Sequence, residues 1–223
     1  MRMKLVAWMV ALTMGLGSAE TIRFDLNAPG SIPAGWTVVE ATKGPPPKWE
    51  VLRDPTAPSK PNVLAQMSSN GGNSHFPLAI LDKSDYKDGE VSVKFKTVAG
   101  KNDQAAGLVW RYRDPANYYL VRANALENNI VMYKVEDGRW RSLTPKGKPI
   151  RNDGVAHRIP SRIWSILKVS FKKSRYEVYF DHRKVFEAED ATFMGPGKVG
   201  LWTKADSVTY FSNLEIRNND KPN

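Results

Sequence analysis

Beyond about residue 20 the chain alternates apolar and polar positions with a period of two. Val91, Val93 and Phe95 fall on one side of a strand, and Ser92, Lys94 and Lys96 on the other. Tyr176, Val178 and Phe180 oppose Glu177, Tyr179 and Asp181 in the same way, and Val199 with Leu201 and Leu214 with Ile216 repeat it near the end. Asp137-Gly138 separates two such runs and predicts a tight hairpin. Lys173-Ser174 and Asp181-His182 predict two more. Alternation of this kind predicts about a dozen strands. No stretch keeps a helical period long enough for a helix. Many short strands with regular turns predict an all-β, two-sheet antiparallel sandwich of jelly-roll type. One sheet of such a fold is expected to be concave and to offer a groove for an extended ligand.

The first residues break this pattern. Arg2 and Lys4 precede an apolar run from Leu5 to Leu16, and Gly17-Ser18-Ala19 follows with small side chains. This predicts a signal peptide over 1–19, too short to span a bilayer, cleaved after Ala19. The expected organisation is therefore a signal peptide (1–19), one sandwich domain (20–217) and a flexible polar tail (218–223). The expected location is outside the cytoplasm, periplasmic or extracellular, with no membrane span. The chain of 223 residues has no cysteine, which excludes disulfides, thiolate metal sites and a cysteine nucleophile. A net charge of +10 raises nucleic acid and acidic glycans as partners. The lysines and arginines are scattered, without a polybasic run, so nucleic acid is not expected and an acidic saccharide stays open.

Candidate chemistry is sparse. Glu187 and Glu189 are the one acidic i, i+2 pair near a strand, but they sit at its end, where a solvated edge explains them. His75, His157 and His182 show no metal-ligand spacing, so no metal or cofactor is expected. Calcium stays open, because Asp and Asn recur in the loops at 82–88, 102–103 and 152–153. His75 lies in the loop Gly71-Gly72-Asn73-Ser74-His75-Phe76 and is the candidate acid or base. Arg111 and Arg113 are expected on one face of a strand, opposite Trp110 and Tyr112. Arg122 and Asn124 are expected to share a face with Tyr118 and Leu120. With Trp202 and Lys204 from a partner strand, Arg111, Arg113, Arg122 and Asn124 are the candidate ligand-binding set. Rings stack on sugar faces while Arg and Asn hold hydroxyls or carboxylates. Burial of the aromatics and solvation of the arginines is the competing account.

The run Gly107-Leu108-Val109-Trp110-Arg111, with Asp114 and Asn117-Tyr118-Tyr119-Leu120-Val121-Arg122 after it, resembles a hairpin of the concanavalin A-like, laminin-G-like superfamily. Within it the chain is most similar to the 3-keto-disaccharide hydrolase family. The hairpin at 129–138 and the closing segment 197–214 extend the resemblance. It implies a jelly roll and a carbohydrate role, either binding or enzymatic. The enzymatic form would act on a pre-oxidised sugar, with His75 as base and Arg111 or Arg122 facing the oxyanion. The Glu-x-Asp-x-x-Glu strand of family 16 glycoside hydrolases is absent. A non-catalytic protein-interaction domain is the third reading.

Overall fold

The computed structural model describes residues 19–42, 44–147 and 154–220. The expected signal segment lies outside these residues except for Ala19. Among the described residues there is no helix, and sixteen strands form two antiparallel sheets. The chain is therefore an all-β jelly-roll sandwich.

The early strands are β1 (Ala19–Ile22), β2 (Trp36–Glu40), β3 (Trp49–Arg53), β4 (Asn62–Gln66), β5 (Pro77–Leu81) and β6 (Gly89–Ala99). Then come β7 (Ala105–Asp114), β8 (Asn117–Asn124), β9 (Asn129–Glu136), β10 (Arg139–Ser142) and β11 (Val155–Ala156). The last are β12 (Ser165–Lys172), β13 (Arg175–Phe180), β14 (Arg183–Glu189), β15 (Lys198–Trp202) and β16 (Val208–Asn218). The first sheet runs β14-β13-β12-β6-β16-β4-β3, with β1 also on β16. The second runs β10-β9-β8-β7-β15-β5-β2, with β11 on β9. The expected turns close their hairpins with left-handed residues: Asp137 and Gly138 at φ 50° and 73°, and Asp181 and His182 at 44° and 67°.

The core is the space between the sheets. From the first sheet Trp49, Leu64, Phe95, Val169, Tyr176 and Phe211 point inward; from the second Leu108, Trp110, Val121, Met132 and Leu201 meet them. Strict alternation puts Glu90, Ser92 and Lys94 of β6 on the outside.

Two expectations change. The ordered chain runs past 217: Asn218 ends β16, and the Asp220 carboxylate accepts from the amides of Lys87 (2.6 Å) and Asp88 (2.5 Å). Residues 221–223 lie outside the described chain. Alternation also fails in β7, where pairing with β8 shifts between Trp110 and Asp114 and Arg111 takes φ 48°. Against β15 the bulge inserts one residue, with Val109 to Tyr112 spanning Gly200 to Lys198. Trp110 therefore faces the core while Tyr112 faces outward, so the two do not share a face.

Candidate functional site

The outer faces of the two sheets differ in kind. That of the first sheet is a ladder of ion pairs, with Lys168 to Glu90 at 3.5 Å, Lys184 to Glu177 at 2.6 Å and Arg217 to Glu90 at 3.9 Å. It holds a hollow of about 420 Å³ lined by such residues as Glu90, Lys94, Lys168, Tyr179, Glu215 and Arg217. Its phenol ring, Tyr179, is already capped by Lys168 Nζ at 4.2 Å, and the exposed His182 turn is at its rim. Compensated charge around a covered ring is what a solvated sheet surface presents.

The outer face of the second sheet is apolar. Leu78, Ile80, Val109, Tyr118, Leu120, Val135 and Trp202 form a second buried cluster, separate from the core. Phe76, Tyr133 and Trp140 pack over it and stay half-buried. Burial pushes the Tyr112 hydroxyl pKa up to about 12, with the Asp114 charge adding to it. Antiparallel sheets commonly present alternating polar residues to water, so an outer face this largely apolar calls for a reason.

Strand register arranges this face in rows about 7 Å apart, a spacing of two residues along each strand. One row holds Asn129 and Asn124. The next holds Val131, Arg122, Gly107 and Trp202, and the one after holds Tyr133 and Leu120. Tyr118, Val135 and Trp140 follow. Gly107 is the seat of the Trp202 indole, since a Cβ there would stand 3.0 Å from Trp202 Cε3. Phe76 stacks on Trp202 at 5.9 Å and meets Trp140 in a tilted pair at 4.5 Å between centroids.

Three loops bring charge to the end of these rows. Arg122 Nη2 donates to Glu127 Oε2 at 2.6 Å, and Nη1 donates to Asn129 Oδ1 at 2.8 Å. Asn129 Nδ2 in turn donates to Glu127 at 3.1 Å. Burial raises the Glu127 pKa, but the Arg122 charge and hydrogen bond, the Asn129 amide and the Lys204 charge outweigh it and hold the carboxyl below its usual range. Lys204 Nζ pairs with Asp103 at 2.9 Å, and Asn124 Nδ2 donates to the same carboxylate at 2.5 Å. Asn124 Oδ1 accepts from the amides of Leu126 and Glu127, which sets the turn that carries Glu127. The loop bearing Asp103 is fixed by Asp206, which accepts from the amides of Lys101, Asn102 and Asp103.

Of the expected ligand-binding residues, the fold thus brings Arg122, Asn124 and Lys204 together. Trp202 shares the Arg122 row but is 1% exposed, covered by Phe76 and Trp140. Arg113 is exposed beyond the bulge, its guanidinium 5.0 Å above the Phe193 ring. Arg111 is 0% exposed at the closed edge between the sheets. It donates to the carbonyls of Lys87, Phe193 and Lys173 and to the Tyr176 hydroxyl. No donor is left for a ligand, so Arg111 is a staple between sheets.

His75 is 1% exposed rather than overhanging a groove. Its Nε2 faces Glu40 Oε2 at 2.8 Å and the Pro45 carbonyl at 3.0 Å, while Nδ1 faces the Ala205 carbonyl at 3.2 Å. With both ring nitrogens taken up by oxygens of the protein and the ring shut away from solvent, His75 is a clamp between three loops, out of reach of a substrate proton. Glu187 and Glu189 are both ion-paired, with Lys184 and with Lys146 and Arg175. The Lys184 hydrogen bond holds Glu187 below its usual range, opposite to what a general acid needs. No group of three or more His, Asp or Glu able to hold a metal ion forms among the described residues.

Glu127, Asn129, Tyr133, Trp140 and Phe76 belong to this site without having been singled out in the sequence, and Asp103, read there only as a possible calcium oxygen, pairs with Lys204 and Asn124. Asn129 and Trp140 were within reach, because the hairpin across 125–128 pairs Asn129 with Asn124, and the Asp137-Gly138 turn puts Trp140 opposite Val135.

No family model matches the sequence, that of the expected 3-keto-disaccharide hydrolase family included, and no curated protein matches it. Solved structures do. The carbohydrate binding module CBM66 from Bacillus subtilis superposes with TM-score 0.60 at 20% identity, over 81% of this chain and 94% of that one. A Bacillus subtilis protein of unknown function with a galectin-like fold gives 0.56 at 11%, over 82% and 89%. A structure described as a native glycosidic hydrolase gives 0.51 at 14%, over 93% and 99%. At these identities what is shared is the fold, a galectin-like jelly roll found in carbohydrate-binding and glycosidase structures alike.

Proposed function

We propose that this chain is an exported saccharide-binding protein whose ligand lies on the outer face of the second sheet. The observation that carries the reading is the meeting, on one face, of a polar cluster and half-exposed rings. Arg122, Glu127 and Asn129 form the cluster, and Tyr133 and Trp140 the rings. A sugar ring has an apolar face that stacks on aromatic carbon and an edge of hydroxyls that both donate and accept. The arrangement supplies a partner for each. On the opposite outer face the charges are largely paired, and the Tyr179 and Tyr210 rings each carry a lysine ammonium. The fold shared with a carbohydrate-binding module is consistent with this use, although a fold hosts many functions.

The export part of the reading rests on Arg2, Lys4, the apolar run Leu5–Leu16 and Gly17-Ser18-Ala19. No helix among the described residues is long and apolar enough to cross a membrane.

The test is ligand-observed saturation-transfer NMR of residues 20–223 against a panel of oligosaccharides, repeated with Trp140→Ala. Saturation transfer to at least one oligosaccharide is expected, with Trp140→Ala weakening it about tenfold or more while the melting temperature stays within a few degrees. Undiminished transfer in a folded Trp140→Ala protein would move the ligand off this face.

A further inference from the structure

We infer that the saccharide held on this face is uncharged. The inference rests on the saccharide-binding reading above and narrows its ligand class. The chain as a whole is strongly basic, at net +10, which by itself would favour an acidic glycan. The site does not share that surplus. Arg122 is neutralised by Glu127 at 2.6 Å, and Lys204 by Asp103 at 2.9 Å. Two cations and two carboxylates sum to zero where the polar edge of a ligand would sit. A uronate or sulfate group entering there would have to displace Glu127 from Arg122 or stand beside two carboxylates, and either is unfavourable.

The neighbouring charges add no surplus of cations: in the loops beside the cluster the Asp206 carboxylate, held by the amides of Lys101, Asn102 and Asp103, stands against the one cation of Lys101. Glu40, beneath Phe76, faces the His75 ring and is a carboxylate, so it adds nothing that attracts an anion. Arg139 and Arg141 alternate with Trp140 on β10 and point to the other side of that strand. Lys198 lies on the outer face but opposite Tyr112, four residues along β15 from Trp202 and so about 13 Å away. What remains at the cluster is a guanidinium, a carboxylate and an amide side by side. Neighbouring sugar hydroxyls need such a mixture, since each donates one bond and accepts others, whereas a carboxylate ligand only accepts.

The experiment is calorimetric titration of residues 20–223 with neutral oligosaccharides and with uronate-containing oligosaccharides of equal length, at low salt and at about 0.3 M salt. Neutral oligosaccharides are expected to bind, with Kd moving less than about twofold between the two salts. Uronate-containing ones are expected to bind more weakly. Glu127→Gln leaves Arg122 uncompensated and is expected to raise affinity for uronates about tenfold at low salt, with its melting temperature checking that it folds. Tighter binding of uronates by the unaltered protein, lost at the higher salt, overturns the inference, as does a folded Glu127→Gln whose uronate affinity does not rise. Failure of every oligosaccharide to bind overturns the saccharide reading itself, a result distinct from a preference for uronates.

Discussion

Replacing Arg111 by Met separates a structural role from a binding one. Methionine fills much of the arginine's volume, so the change removes donors more than it opens a cavity. What it strands is specific. The Lys87 carbonyl loses donors at 3.0 and 2.8 Å, the Phe193 carbonyl one at 2.5 Å and the Lys173 carbonyl one at 2.8 Å. Asp88 loses its ion pair at 3.2 Å but keeps the Lys173 amide at 2.7 Å. A buried polar group left without a partner costs about 1–3 kcal/mol, and breaking one side of a buried ion pair about 3–5 kcal/mol. The two figures overlap, and Asp88 retains a partner, so the expected loss is about 3–4 kcal/mol. That is a large part of the ~5–15 kcal/mol that holds a typical domain.

Urea unfolding followed by tryptophan fluorescence measures this loss as a lower midpoint at unchanged slope. Arg111→Lys should lose most of the same stability, because one ammonium cannot reach three carbonyls fixed in different directions. Saccharide affinity of the folded variant should match the unaltered protein. A stability loss below about 1 kcal/mol would refute the staple account, since five satisfied donors would then contribute almost nothing. Weakened saccharide binding at an unchanged midpoint would return Arg111 to the ligand.

Other expectations follow from single close approaches and from titration. Gly107→Val would bring side-chain carbon to within 2.8 Å of Leu120 and 3.0 Å of Trp202; a loss of about 1–3 kcal/mol and a changed near-ultraviolet circular dichroism signal from Trp202 are expected. Gly71→Ala would place a Cβ 2.0 Å from His75 Nδ1 and 2.6 Å from the Ala205 carbonyl, so the His75 clamp should open and the urea midpoint fall further than for Gly107→Val. Burial raises the Asp206 pKa, but three neighbouring amides outweigh it, so the folded value lies below the ordinary 3.8. Its stabilisation is then complete above about pH 5 and is lost as the pH falls through the folded value. The melting temperature should drop below about pH 4, and Asp206→Asn, less stable at neutral pH, should show a shallower drop.

Much of this architecture can be read along the chain because single strands carry their own signal. In β6, β12 and β13 the alternation names the inward residues directly, and paired turn residues mark the hairpins. The Arg111 bulge carries no such signal. Arg111 and Arg113 look like any i, i+2 pair, and only three carbonyls from distant loops make the left-handed arginine favourable. His75 misleads for a related reason. Glycines around a histidine suggest an open loop, whereas here Gly71 and Gly44 lack side chains so that the imidazole can pack against their backbone. The polar cluster is half legible: Arg122 and Asn124 follow from alternation in β8 and Lys204 from extending that of β15, but Asp103 and Glu127 arrive from loops whose meeting with them depends on the whole fold.

The contrast between the two outer faces is also written in the sequence, as a failure of alternation. Residues 105–112, 118–125 and 129–132 are buried without interruption, whereas 89–98 and 165–171 alternate strictly. Uninterrupted burial belongs to strands covered on both faces, ordinarily the mark of a parallel sheet under helices. This chain has neither helices nor parallel pairs among its described residues. The extra burial must therefore come from the protein's own rings and loops laid over one face, as Phe76, Tyr133 and Trp140 are. A sandwich needs one buried face per sheet to fold. The second cluster adds burial of its own, but Tyr133 and Trp140 stay half-exposed beside a neutral polar cluster, and that rim is where the proposed ligand, with one apolar side and one hydroxylated edge, would rest.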